Sequence, residues 1–487
     1  MRSPRFRFFV APALVACLLA STGCGSGGDG GDPARQAIDA VVEVTSRQNI
    51  IIILLDAAGA KHFSFYGYDR ETTPYLSALA RESVVFENAY AQASGTMLSV
   101  FSYFTSRYPV FGDDVNITRE TLLKIPPEMT TMAEVMARRY DHRLGFTCNT
   151  WLKSELGHGQ GFTEFHHLWD LPTELLLAAD ERGPADVLMI AHTLEWMKER
   201  AQDGFFAYLH FMIPHSPYRP PEPFCSLFTR GPCDKRLGSV DFLNGLQGTR
   251  PAPEQAEDIE ALYDASLTFI DYALGAMIRK MQAEGVWDDT IFILMSDHGE
   301  AFWEHGTHHG HGGIAYEEVV RVPLVVHIPG LPDLAGRRIA QPVELVDLLP
   351  TLMELQGIPR DTLQLAGRSL VPLLAGVQSA DAGQPPRIFS QTNRRIPPIF
   401  AWYEGDLKLL WEEGGEDLEL YDLGTDPGER VNLIGTGDHD DVAGRLWAEL
   451  RSFLAQGGAH GAAAEILPVE TLDEASRQRL RSLGYID

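Results

Sequence analysis

Asn49-Ile50-Ile51-Ile52-Ile53-Leu54-Leu55 is an aliphatic run with no polar residue after its first position, and it stops at Asp56. A strand with one wet face alternates between apolar and polar residues. One that does not alternate is covered on both faces, as in the centre of a mainly parallel sheet. A carboxylate where such a strand stops lies at the carboxyl edge of the sheet, where open α/β folds place their ligands. Thr290 to Met295 is a second such run, and it ends at Ser296-Asp297-His298. Two buried strands therefore deliver two acids and an imidazole to one edge.

Helical signals separate the strands. Thr72-Thr73-Pro74 opens a helix with a capping hydroxyl and a proline in its first turn. From about Ala256 a longer helix carries Leu267, Ile270, Leu274, Met277, Ile278 and Met281 at helical spacing. Phe205 to Met212 reads as another strand, halted by Ile213-Pro214. The alternation predicts a doubly wound α/β core. From about residue 376 the texture changes to brief strands near Ile399 to Trp402 and Leu407 to Trp411, with turn chemistry at Glu404-Gly405-Asp406 and Asp426-Pro427-Gly428. This predicts a small α+β subdomain over 376–465, followed by a tail over 466–487.

The 487 residues carry a formal net charge of −27, so no positive field is available to drive binding to nucleic acid or to an anionic membrane surface. An anionic ester substrate would need local positive charge, and a bound cation is the economical source. At the N-terminus Arg2, Arg5 and Arg7 precede the apolar run Phe8 to Ala20 and then Ser21-Thr22-Gly23-Cys24. This reads as a cleaved export signal over 1–24, too short for a spanning helix. Its ending resembles a bacterial lipobox, which implies lipidation of Cys24 and an exported, lipid-anchored protein facing periplasm or exterior. Membrane contact would then run only through that lipidated N-terminus, with 25–47 as a flexible tether. Cys225 and Cys233, eight apart, suit a surface-loop disulfide in an oxidising compartment.

Ser94-Gly95-Thr96 leads into an almost wholly apolar helical segment ending near Phe104. At a helix N-terminus the free N–H groups and the dipole favour an anion or an alkoxide. Taken alone, Thr96 reads as an N-cap. The order of motifs changes that reading. Asp56 with Tyr66-Gly67-Tyr68, Thr96 with Tyr108-Pro109, Pro214-His215-Ser216-Pro217-Tyr218, and Ser296-Asp297-His298-Gly299-Glu300 through Arg321-Val322-Pro323-Leu324 resemble the sulfatase-like branch of the alkaline phosphatase superfamily. A weaker tail match runs through Leu420-Tyr421-Asp422-Leu423 to Asn432-Leu433 and the closing Leu483-Gly484-Tyr485.

The resemblance implies an α/β sandwich with a large mainly parallel sheet flanked by helices, the catalytic part spanning 48–375. It implies that Asp56, Thr96, Asp297 and His298 hold one divalent metal ion. Zinc or manganese suits that donor set best, with calcium or magnesium as alternatives. It makes Thr96 the metal-bound nucleophile of a covalent intermediate, and His215 the residue that contacts substrate or protonates the leaving group. It places His311 in the substrate pocket. The implied substrate is a small-molecule, glycan or lipid-headgroup ester of sulfate, phosphate or phosphonate.

Departures from the sulfatase pattern narrow the chemistry. Family sulfatases oxidise a Cys or Ser to formylglycine, followed two residues on by Pro and four on by Arg; here those positions are Thr96, Leu98 and Val100. Threonine, a secondary alcohol, cannot become that aldehyde. Ala57 stands where calcium-binding members carry a further acid, and His298 where they carry Asn. The unmodified Thr with its ligand set resembles phosphoethanolamine transferases, and the Asp-His pair resembles phosphonate monoester hydrolases. Phosphotransfer and a catalytically silent binding protein are the alternatives to hydrolysis. Five of the 16 histidines, His298, His305, His308, His309 and His311, cluster with glycines, as a second metal site or a solvated loop would.

Overall fold

The computed structural model describes residues 32–110, 120–171, 185–360, 363–377, 386–393, 397–458 and 464–482, together with residues 118 and 486. The export signal, Cys24 and the Leu483-Gly484-Tyr485 motif lie outside the described residues.

The Asn49–Leu55 strand is buried along its whole length at the centre of a nine-stranded sheet. It pairs in parallel with Phe205–Phe211 on one side and Thr290–Met295 on the other. Beyond Phe205–Phe211 the parallel order continues through His142–Thr147 to Glu164–His167. Beyond Thr290–Met295 it turns antiparallel through Arg321–His327 to Val84–Tyr90, which Arg338–Ile339 and Val343–Glu344 join in parallel.

The central strand lacks alternation because it feeds two cores. Ile50, Ile52 and Leu54 pack with the Thr96–Thr105 helix on one face. Ile51, Ile53 and Leu55 pack with Leu267, Ile270 and Leu274 of the long helix on the other. Each fully buried aliphatic side chain contributes about 1.5–3 kcal/mol by leaving water. The long helix runs Pro253–Ala283, with proline in its first turn. The helix after Thr73 spans Pro74–Ala80, but the Thr73 hydroxyl does not cap it. That hydroxyl instead accepts from the Ser64 N–H at 3.0 Å, and the Asp271 carboxylate takes the Tyr75 and Leu76 N–H groups. Satisfying those first-turn donors from a distant helix ties two layers together.

Near the C-terminus, Arg387–Gln391, Ile399–Glu404, Leu407–Glu412 and Leu418–Asp422 form an antiparallel four-stranded sheet. The Asp440–Ala455 helix covers it through Leu446 and Leu450. Cys225 and Cys233 form a disulfide in which Cys225 is buried rather than at the surface. No described helix is long and apolar enough to cross a membrane.

Candidate functional site

Four neighbouring parallel strands end at one edge, and each is followed by a residue of the site. Asn149 follows His142–Thr147, His215 follows Phe205–Phe211, Asp56 follows Asn49–Leu55 and Asp297 follows Thr290–Met295. Ala57 adopts a left-handed backbone (φ 57°), a costly state for a residue with a Cβ, so the surroundings must brace it. They do: its N–H donates to Asp297 Oδ1 at 3.3 Å and its carbonyl accepts from the Tyr263 hydroxyl at 2.8 Å. The glycine of Ser-Asp-His-Gly-Glu has a steric cause as well. A Cβ on Gly299 would come within 2.2 Å of the Glu318 carbonyl.

Asp56, Asp297 and His298 are fully buried, and one ligand atom from each lies within 4.8 Å of the others. Asp56 Oδ2 accepts from Asn149 Nδ2 at 2.6 Å and from His210 Nε2 at 2.9 Å. Asp297 Oδ1 accepts from the His298 N–H at 3.0 Å. The two remaining oxygens, Asp56 Oδ1 and Asp297 Oδ2, have no hydrogen-bond partner, and each stands 3.5 Å from His298 Nε2. His298 Nδ1 donates to the Gly299 carbonyl at 2.9 Å, so Nε2 is the nitrogen turned to the acids. Orphaned buried carboxylate oxygens are costly unless a cation satisfies them. Two carboxylates, an imidazole and a hydroxyl suit a divalent ion such as zinc or manganese.

The electrostatics agree with that geometry. Burial raises Asp297, and repulsion from Asp56 adds to it. Burial would raise Asp56 too, but the His210 hydrogen bond and the charges of His215, His210 and His298 hold it well below the usual carboxylate range. Burial lowers His298, yet Asp297 and Asp56 overcome this and raise it.

Thr96 is the first residue of the Thr96–Thr105 helix, with Gly95 in the capping position, so its hydroxyl is not used as an N-cap. Its Oγ1 lies 3.3 Å from His298 Nε2 and 3.4 Å from Asn149 Nδ2. Thr96 also lines a cavity of about 470 Å³ together with His215, His309, His311, Glu300 and Asn393. His215 Nδ1 donates to the Ser216 carbonyl at 2.6 Å, and the His215 ring sits 5.0 Å from that of His311. His311 Nδ1 is 2.9 Å from Glu300 Oε1. Burial would raise Glu300, but His311, by charge and hydrogen bond, and then His215 and His309 bring it down to about 2. Burial and the charge of His298 lower His311 to about 4. His311 is thus a neutral ring that donates to an ionised Glu300.

The histidine cluster divides. His308, His309 and His311 face the cavity. His305 turns away, with Nδ1 2.8 Å from Glu318 Oε1, Nε2 donating to the Glu429 carbonyl at 3.1 Å, and its ring stacked on Tyr316. His305, Glu318 and Glu429 each bring a possible ligand atom within 4.8 Å of the others, a second acid and imidazole group apart from the one at Asp56. Asn149, His210 and Glu300 were not singled out from the sequence. The Glu of Ser-Asp-His-Gly-Glu carried a signal for the last of them; the other two carried none.

A mainly parallel sheet with an acid, acid and imidazole centre at its carboxyl edge defines an α/β protein equipped for a cation. The chain belongs to the sulfatase family, whose profile matches residues 48–358. The profile of the N-sulphoglucosamine sulphohydrolase C-terminal region matches residues 304–456. Among relatives, an ulvan-active sulfatase of Formosa agariphila is 25% identical over 64% of this chain and 62% of its own length. The multifunctional alkaline phosphatase superfamily protein PehA of Trinickia caryophylli is 30% identical over 39% of this chain, which spans only 41% of that relative. An arylsulfatase of Clostridium perfringens is 24% identical over 81% of this chain and 92% of its own length. Among solved structures, the phosphonate monoester hydrolase of Agrobacterium radiobacter superposes with a TM-score of 0.69 at 21% identity, covering 84% of this chain and 96% of that one. A structure in complex with D-glucosamine-2-N,6-O-disulfate superposes at 0.68 and 17% identity, covering 85% and 99%. These likenesses establish the fold.

Proposed function

We propose that this protein hydrolyses sulfate, phosphate or phosphonate esters, with Asp56, Asp297 and His298 holding a divalent ion and Thr96 Oγ1 as the nucleophile. The observation that carries the reading is Thr96 Oγ1 lying 3.3 Å from His298 Nε2 at the wall of the cavity, beside two unpartnered carboxylate oxygens. A bound ion would acidify the Thr96 hydroxyl and offset the charge of the substrate. With its proton given up to solvent, Thr96 Oγ1 would form a bond to phosphorus or sulfur as an alkoxide, the form in which it also departs later, and the bond to the leaving alcohol oxygen breaks with its electron pair. That oxygen takes a proton from His215, whose Nδ1 is committed to the Ser216 carbonyl and whose Nε2 serves the substrate. Water then attacks the covalent ester, returns a proton to His215 and releases Thr96.

A relative named for ulvan and a neighbour bound to a sulfated glucosamine support a glycan ester as substrate. The phosphonate monoester hydrolase neighbour and His298 support phosphorus as an alternative centre. A panel of aryl sulfate, phosphate monoester, phosphodiester and phosphonate, run with zinc, manganese and calcium, decides between them. Thr96→Ala should lower turnover at least about 1,000-fold while keeping the melting temperature. Unchanged hydrolysis by that variant across the panel refutes the nucleophile. A stable acceptor ester in place of free acid identifies a transferase, and failure to bind any ion identifies a silent binding protein.

A further inference from the structure

We propose that Asn149 is a further catalytic residue, an oriented donor to Thr96 Oγ1 that acts chiefly when the covalent ester breaks down. The proposal rests on the reading of Thr96 as nucleophile. Asn149 is fully buried. Its amide cannot flip. The Trp151 backbone N–H, which can only donate, lies 2.9 Å from Asn149 Oδ1, so Oδ1 is the acceptor and the NH₂ group points the other way. The rest of the residue is equally fixed: its N–H donates to Thr147 Oγ1 at 3.0 Å and its carbonyl accepts from His167 Nε2 at 3.0 Å.

The amide nitrogen has two hydrogens and two neighbours. One hydrogen goes to Asp56 Oδ2 at 2.6 Å, and the other faces Thr96 Oγ1 at 3.4 Å, a distance that contraction around the reacting group can shorten. The first bond, with that of His210, occupies Asp56 Oδ2 and leaves Oδ1 as the oxygen turned to His298. The second touches the reacting atom.

The consequence differs between the two steps. During attack the Oγ1 electron pair moves toward the phosphorus or sulfur, and a donor to Oγ1 restrains it slightly. During hydrolysis the Oγ1 bond to phosphorus or sulfur breaks and its electron pair returns to Oγ1, where the amide hydrogen stabilises the developing charge. Removing the donor therefore slows breakdown more than formation. The covalent enzyme accumulates.

The test uses the full chain at saturating manganese. Asn149→Ala and Asn149→Ser are checked by melting for a cooperative fold, and Asn149→Ser serves if the alanine variant is unfolded. The ester is whichever the panel shows the wild type to hydrolyse. Expected are a fall in kcat of about 100-fold and a KM that falls with it. Ion affinity by calorimetry should weaken no more than about 10-fold. Intact mass of the quenched reaction should show a Thr96 adduct that the wild type lacks at steady state. Turnover within about threefold of wild type, or a fall in kcat with no adduct, overturns the proposal. The adduct must vanish in Thr96→Ala/Asn149→Ala. If Thr96→Ala alone turns over normally, the nucleophile reading fails, and this inference with it.

Discussion

Two of the buried carboxylate pairs among the described residues differ in one respect. Asp56 and Asp297, behind the Thr96 wall of the cavity, are 0% exposed; Glu344 and Asp347, beneath the C-terminal antiparallel sheet, are 5% and 2% exposed, so burial does not separate them. At the second pair every oxygen is used. Glu344 Oε1 accepts from the Phe389 N–H at 3.0 Å and from Gln92 Nε2 at 3.3 Å, and Oε2 accepts from Tyr108 at 2.8 Å. Asp347 accepts from the Arg368 and Glu344 N–H groups at 2.8 and 3.1 Å. At the first pair one oxygen of each acid is left without a partner, and both stand beside the same imidazole nitrogen. A saturated acid pair is a structural tie; an unsaturated one is a place for an ion.

That distinction breaks most readily at the cavity. Asp297→Asn should weaken ion binding by at least about 100-fold in calorimetry and abolish the turnover that depends on the ion. Retention of both would reduce the cavity pair to another structural tie.

At the second pair the expected effect falls on stability. Burial, then repulsion from Asp347, pushes Glu344 up to about 8 from an ordinary 4.5. A carboxyl raised by folding holds its proton in the native state while the unfolded chain has already lost its own. Its contribution is complete below about pH 4.5 and is lost as pH rises through about 8. Glu344→Gln should therefore remove the part of the decline in urea stability between those limits, while ion affinity stays unchanged. Loss of ion binding in Glu344→Gln would show that the two pairs are coupled.

The smallest effect tests what stands behind Asp56. Tyr103 and Tyr208 share a hydrogen bond at 2.7 Å, Tyr208 reaches His210 Nδ1 at 2.8 Å, and His210 Nε2 donates to Asp56. With Nε2–H committed to the acid, Nδ1 is the nitrogen that faces the Tyr208 hydroxyl as donor. Tyr208→Phe removes that donor and should cost up to about 10-fold in ion affinity by freeing the ring orientation. A loss as large as that of Asp297→Asn would make the chain of hydroxyls as important as the ligands themselves.

How much of this was legible follows from where each constraint acts. The strands ending at Asp56 and Asp297 were readable because a run such as Ile50 to Leu55 fits only between two covered faces, and a polar group at its end has one edge to occupy. The position of Thr96 was readable because small residues precede an almost wholly apolar helical segment. The cap of the Pro74–Ala80 helix was misread at Thr73, since Asp271, nearly 200 residues away, outcompetes a local hydroxyl once the layers pack.

The sequence by itself determined the sheet and which residue types stand at its carboxyl edge, because local periodicity and chain direction are one-dimensional properties. Tertiary structure alone decided which histidines face the cavity. His305 and His311 have similar surroundings in the chain, but one meets Glu318 and the other Glu300. It alone brought in His210, whose register beside Leu54 carries it to Asp56, and Asn149, whose amide direction is set by a single backbone N–H. Hydrogen bonds between distant segments have no period, and only the folded chain fixes their partners.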